Sequence, residues 1–203
     1  MAAALDEVGV LIEPNCQVNA VEQGRVVLED GRRFESDVVV LATGASQAAR
    51  LLKPLDSEAL HDVRPVRAST LDALLTSRPL SEKHGVIDPH EGAYIADLAN
   101  IQPRLKLNGA LLSAVMVERA GESVDERNVR FDEFLERTAN GWQLHVVHQR
   151  KQTNITVQTT GTKPRYDQYV DHGILLAGEW VDCDHELADA AAVTGKMCGQ
   201  NIP

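Results

Sequence analysis

Cations are the first thing in short supply. The 203 residues carry 20 Lys and Arg against 30 Asp and Glu, a formal net charge of -10. Phosphate-rich partners need clustered cations, so neither nucleic acid nor an anionic membrane surface is an expected partner. Long apolar runs are also missing: none approaches the ~20 residues of a transmembrane helix. The opening Met1-Ala-Ala-Ala-Leu-Asp-Glu-Val8 has no basic start and no apolar stretch, so a secretory signal is not expected. Three cysteines (Cys16, Cys183 and Cys198) are too few and too scattered for a disulfide framework, and a reducing cytoplasm is the expected compartment. No two of the 14 glycines stand one residue apart. The G-x-G-x-x-G turn that cradles a dinucleotide pyrophosphate is therefore absent. No G-x-S-x-G elbow, P-loop or H-E-x-x-H occurs either.

What is present is ordinary globular composition, with 43% hydrophobic and 25% charged residues and no internal repeat. Residues 2–8 read as a helix stopped at Gly9, followed by the apolar run Val10-Leu11-Ile12. Short strands with turns at Gly24 and at Asp30-Gly31 read as hairpins. Val38 to Ala42 is uniformly apolar and β-branched, as a strand buried on both faces should be, and it ends in Ala42-Thr43-Gly44. The middle of the chain reads as strands over Val66–Leu71, Ala93–Leu98, Ala110–Glu118 and Trp142–Lys151, with one helix. That helix opens on Ser123-Val-Asp-Glu126, the capping-box pattern, and places Phe131, Phe134 and Leu135 on one face. Near the end, Gly173-Ile-Leu-Leu-Ala177 is a second short apolar strand, leading through Gly178-Glu179-Trp180 and an acidic loop to a helix over Leu187–Ile202. Two segments distant in sequence are expected to build one sheet.

The run Val18 to Thr43, closing on Asp37-Val-Val-Val-Leu-Ala-Thr-Gly44, resembles the middle FAD-binding segment of flavin-dependent amine oxidases and phytoene desaturases. Gly173-Ile-Leu-Leu-Ala-Gly-Glu-Trp-Val181, followed by Leu187-Ala-Asp-Ala-Ala-Ala-Val-Thr-Gly195, resembles the closing FAD motif of the same family. The resemblance implies an α/β plus α+β architecture. Residues 1–64 and 165–203 would form a partial FAD-binding, Rossmann-like layer, and 65–164 an inserted mixed-sheet substrate-binding domain. It implies FAD as cofactor, with the Val18 backbone at the adenine, small backbone at Ala42, Thr43, Gly44 and Gly178, and Trp180 beside the closing turn. Glu179 would accept from ribityl hydroxyls. The N-terminus of the last helix, at Leu187, Ala188 and Asp189, would face negative charge on the cofactor. The activity implied is hydride removal from a small-molecule substrate to flavin, with no protein acid–base residue assigned.

Departures from the family pattern shape the rest of the expectation. The glycine turn is missing, so the length reads as the C-terminal half of a two-domain flavoprotein. Another polypeptide carrying the dinucleotide half, or a homodimer, is the expected partner, and FAD binding by this chain alone is expected to be weak. The family Gly and Ser of the closing helix are Ala190 and Thr194, and the nearest counterpart of the lysine near flavin N5 is Arg67. Aromatic residues make up 4%, leaving Tyr166, Tyr169 and Trp180 as the candidates near the closing motif. A desaturase-like dehydrogenation thus fits better than amine oxidation. The alternative is a non-catalytic module that binds a partner or a hydrophobic ligand. Ala188, Ala192, Gly195 and Gly199 line one helix face and are expected to pack on a sheet. Asp182-Cys183-Asp184-His185-Glu186 is read as a polar loop, not a metal site. His145 and His148, three apart in an expected strand, point to opposite faces.

Overall fold

The structure is a computed structural model that describes residues 2–55, 58–80, 84–105 and 108–202. Its first elements are α1 (Ala2–Glu7), β1 (Val18–Glu22), β2 (Arg25–Leu28), β3 (Arg33–Glu35), β4 (Val39–Leu41) and α2 (Ala45–Leu51). Then come β5 (Arg64–Leu75), β6 (Gly85–Asp88), β7 (Ala93–Asp97), α3 (Leu98–Ile101) and β8 (Ala110–Val117). The last are α4 (Val124–Thr138), β9 (Val146–Thr160), β10 (Ile174–Leu176) and α5 (Leu187–Gln200). The chain divides into two compact units, residues 1–64 with 159–203, and residues 65–158.

In the first unit, β1, β2 and β3 form an antiparallel meander whose turns fall at Gly24 (φ 71°) and Gly31 (φ 86°). Beside it, β4 and β10 pair in parallel, with Val39 opposite Ile174 and Leu41 opposite Leu176. The expectation that distant segments share a sheet is met. Val39, Leu41, Ile174 and Leu176 turn to one side, into a core with Ala48, Leu51, Leu52 and Trp180. Leu175 and Ala177 turn to the other side, where they meet Cys198 of α5. Burial pushes the Cys198 thiol above its ordinary range, so it stays a thiol and packs as a small apolar group. The expected burial of both β4 faces is only half met: Val40 remains 36% exposed, although Leu175 opposite it is buried against Cys198 of α5. Val10, Leu11 and Ile12 join no strand and are exposed.

The second unit is a five-stranded sheet in the order β6-β7-β8-β5-β9, covered on one face by α4. Pairing of β6 with β7, β7 with β8 and β5 with β8 is antiparallel. Alternation along β8, buried at every second residue, follows from one covered face. Phe131, Phe134 and Leu135 of α4 pack on Leu71, Ile95, Leu112 and Met116 of that face. Polar groups enter this unit's interior at Ser69, Asp97 and Arg127. Arg127, 1% exposed, donates to Ser69 Oγ (3.3 Å), Glu118 Oε2 (3.4 Å) and Asn154 Oδ1 (3.4 Å). Its charge is tolerated there because it is paired and hydrogen-bonded. Trp142–His145 is a 3₁₀ turn entered at Gly141 (φ 70°), not the start of a strand, so the strand alternation expected to relate His145 to His148 does not extend to His145.

The capping box is formed in full: Glu126 N–H donates to Ser123 Oγ at 3.2 Å, and Ser123 N–H donates to Glu126 Oε2 at 2.9 Å. Ser123→Ala is expected to lower stability by about 1 kcal/mol, read from the denaturant midpoint with the slope unchanged. An unchanged midpoint would mean that α4 is held by its packing alone.

Candidate functional site

Parallel pairing brings the carboxyl ends of β4 and β10 to the same edge of their sheet. In open parallel sheets that edge is where ligands bind, because loops diverge there and expose backbone. The two segments that follow these strands are Ala42-Thr43-Gly44 and Ala177-Gly178-Glu179-Trp180. They are tied together twice. Ala177 N–H donates to Leu41 O at 3.0 Å, and the Trp180 indole Nε1–H donates to Thr43 O at 2.7 Å across 137 positions of sequence.

Gly178 makes the second bond feasible. Its φ is 154°, and a Cβ there would lie 2.4 Å from Trp180 Nε1. Any other residue would push the indole off Thr43. The Gly178 N–H donates to Thr194 Oγ1 at 3.0 Å, and that hydroxyl donates on to Ala190 O at 2.8 Å within α5. A side chain of α5 therefore fixes the turn. The packed face of α5 is Ala190, Thr194 and Cys198, all buried. The expected face is corrected: Ala188, Ala192, Gly195 and Gly199 are exposed.

Glu179 is held by its neighbours. Its Oε2 accepts from Thr159 N–H (3.1 Å) and Thr159 Oγ1 (2.9 Å), and its main-chain carbonyl accepts from Lys163 Nζ (2.9 Å). Lys163, 15% exposed, also pairs with Glu186 Oε2 at 3.2 Å, directly before α5. This lysine escaped the sequence reading, since nothing in its spacing marks it. At the start of α5, Leu187 sits at φ 54°, a left-handed position that costs an ordinary residue of order 1 kcal/mol. Leu187, Ala188 and Asp189 are all exposed.

The remaining expected residues fall as follows. Ala42, Thr43 and Gly44 are exposed, and Gly44 caps α2 with open space where a Cβ would stand. Val18 begins β1, and its carbonyl accepts from Arg50 Nη2 at 2.9 Å. Trp180 is 2% exposed, with its donor engaged by Thr43. Tyr169 is buried, and Tyr166 packs against the same core. Arg67 belongs to the second unit, where its N–H donates to Glu118 Oε1 at 2.8 Å. Among the described residues no group of three or more His, Cys, Asp and Glu is arranged to hold a metal ion.

These residues fit part of a flavin dinucleotide. Exposed small residues after β4, a half-buried glycine after β10, a carboxylate fixed through one oxygen, and the exposed N-terminus of a long helix suit a polyhydroxylated chain and an electron-rich ring edge. At Val18, where the adenine contact is expected, the carbonyl also accepts from Arg50.

Comparison with known proteins bears on the fold. No protein-family model matches the chain, and no curated protein matches it. Solved structures do. An oxidoreductase from Methanosarcina mazei superposes with a TM-score of 0.71 at 15% identity, over 99% of this chain and 52% of its own. Cyclohexylamine oxidase from Brevibacterium oxydans gives 0.60 at 14% identity, over 98% and 51%. A reduced UDP-galactopyranose mutase gives 0.62 at 9% identity, over 97% and 50%. The chain has the fold of about half of each of these proteins. The likeness bears out, at the level of fold, the resemblance read from the two motifs. No described helix is long and apolar enough to cross a membrane.

Two substitutions test the clasp. Trp180→Phe keeps the ring and removes the donor, and is expected to cost about 1–2 kcal/mol. Gly178→Ala adds the clash and is expected to cost at least as much, about 1–3 kcal/mol. Thermal unfolding that leaves either variant at the parent midpoint would show that the two strand ends are joined by other means.

Proposed function

We propose that the first unit contributes the central and closing parts of an FAD site, and that the protein serves a FAD-dependent oxidoreductase of dehydrogenase or desaturase type. The observation that carries this reading is the convergence of the two motifs, from opposite ends of the chain, at the carboxyl ends of β4 and β10. Ala42, Thr43 and Gly44 offer exposed backbone, and half-buried Gly178 lets the cofactor pass close to the β10 end. Glu179 keeps Oε1 for a ribityl hydroxyl while Thr159 holds Oε2. Leu187, Ala188 and Asp189 present the N-terminal amides of α5. Bound there, flavin supplies the hydride acceptor, and the chain's own residues orient it. The second unit, in this reading, lines the substrate. The dinucleotide turn that the sequence lacks comes from a further polypeptide segment, so this chain alone binds FAD weakly.

The test is a titration of isotope-labelled protein with millimolar FAD, followed by amide chemical shifts. Shifts that saturate and cluster at residues 42–44, 178–180 and 187–189 are expected, and Glu179→Gln should weaken them about tenfold. No saturable shift, or shifts clustered in the second unit, would overturn the assignment. A yellow purified protein releasing near one equivalent of flavin would overturn the claim of weak binding.

A further inference from the structure

Lys163 and Glu186 meet where the closing turn passes into α5. The lysine stands on a fixed base. Thr159 donates twice to Glu179 Oε2, and Asp182 N–H donates to Pro164 O at 2.8 Å, so the run 159–164 lies along the closing turn. From that base the Lys163 ammonium reaches the Glu179 carbonyl at 2.9 Å and Glu186 Oε2 at 3.2 Å, and so bridges the two ends of the loop 180–185. Glu186 is the N-cap residue of α5, yet its side chain makes no bond to the helix amides. A carboxylate at that position is ordinarily drawn to them, by their free N–H groups and by the positive end of the helix dipole. Here it turns to the ammonium instead. The ion pair itself adds little stability, since Glu186 is 67% exposed. What it decides is the direction of one carboxylate.

We propose that Lys163 is a positioning residue of the flavin site: it holds the Glu186 carboxylate away from the first turn of α5, and so keeps the amides of Leu187, Ala188 and Asp189 open to negative charge on the cofactor. This rests on the placement of those amides in the flavin site. An acidic N-cap side chain and an anionic ligand compete for the same donors, so one is held elsewhere while the other binds. Lys163 acts through Glu186 and touches no cofactor atom in this role. Its bond to the Glu179 carbonyl sets where the ammonium stands. Leu187, at φ 54°, turns the chain between Glu186 and the helix, and the pair anchors the residue before that turn.

Amide exchange and FAD titration, both followed by NMR on the full chain, test it. Without FAD, Lys163→Met releases Glu186 onto the helix, and the amides of residues 187–189 should exchange about three- to fivefold more slowly. Adding Glu186→Ala to that variant should restore the parent rates. With FAD, Lys163→Met should weaken binding about three- to fivefold, and Lys163→Arg should stay near the parent. Lys163→Met with Glu186→Ala should return to within about twofold of the parent. Lys163→Met with Asp184→Asn has the same net charge, removes another exposed carboxylate of the loop, and should not recover. Equal recovery in both double variants overturns the proposal, because charge alone then explains it. Recovery in neither overturns it too, because Lys163 then acts otherwise than through Glu186. A parent chain that binds no FAD overturns the flavin assignment, while the exchange rates still decide whether Lys163 directs Glu186. If Lys163→Met fails to fold, Glu186→Ala alone decides: unchanged rates at 187–189 support the proposal, and faster ones, showing the carboxylate already on the helix, overturn it.

Discussion

The bond from the Trp180 indole to the Thr43 carbonyl extends the β4–β10 pairing into the loops beyond it. It joins two loops that the chain reaches 137 positions apart, and it requires the absence of a side chain at Gly178. The constraint propagates outward. Because Gly178 is drawn under the indole, its amide is turned toward α5, where the Thr194 hydroxyl receives it. Because Thr194 must face that amide, the helix presents Ala190 and Cys198 to the sheet along with it. Because the helix is so oriented, its first turn lies exposed beside Glu179. The arrangement resembles a keystone in one respect only: three elements share their polar groups at one place.

Much of this was legible in residue types. Two short apolar runs announced strands of one sheet, and the fold adds that they pair in parallel. The Ser123–Glu126 box marked the start of α4, because its chemistry is local and needs no knowledge of the fold. The packed face of α5 was not legible from smallness alone. Small residues occupy both sides of that helix, so volume does not choose between them. The hydroxyl of Thr194 and the thiol of Cys198, four residues apart and in line with Ala190, are what the sheet selects. Trp142 to Leu144 looked like strand for their apolar and aromatic character, but Gly141 turns the chain there before β9 begins.

The site residues divide in the same way. Glycine and small residues after a strand are readable because close approach demands them. The support around Glu179 was not, since Thr159 and Lys163 reach it from a segment with no motif of its own. Such partners arise from where the chain passes in space, and spacing along the sequence carries no trace of that. Arg50 belongs to the same class. It lies on the exposed side of α2, and only the fold shows that it meets the carbonyl of Val18.

One tension remains between what β4 is written for and what it receives. A parallel strand of this composition is normally central, paired on both sides and covered on both faces. Among the described strands it pairs with β10 alone, and Val40 stands three residues from Thr43. Closing the open edge would fix the backbone from Val38 through Ala42, and so restrain the loop that carries Thr43 and Gly44. Whatever pairs with β4 and whatever occupies the strand ends are then linked: if one orders Ala42-Thr43-Gly44, the other binds without meeting that ordering cost, and the coupling is reciprocal. A sheet edge and a ligand site thus share a few residues of backbone, and the occupancy of one is a measure of the readiness of the other.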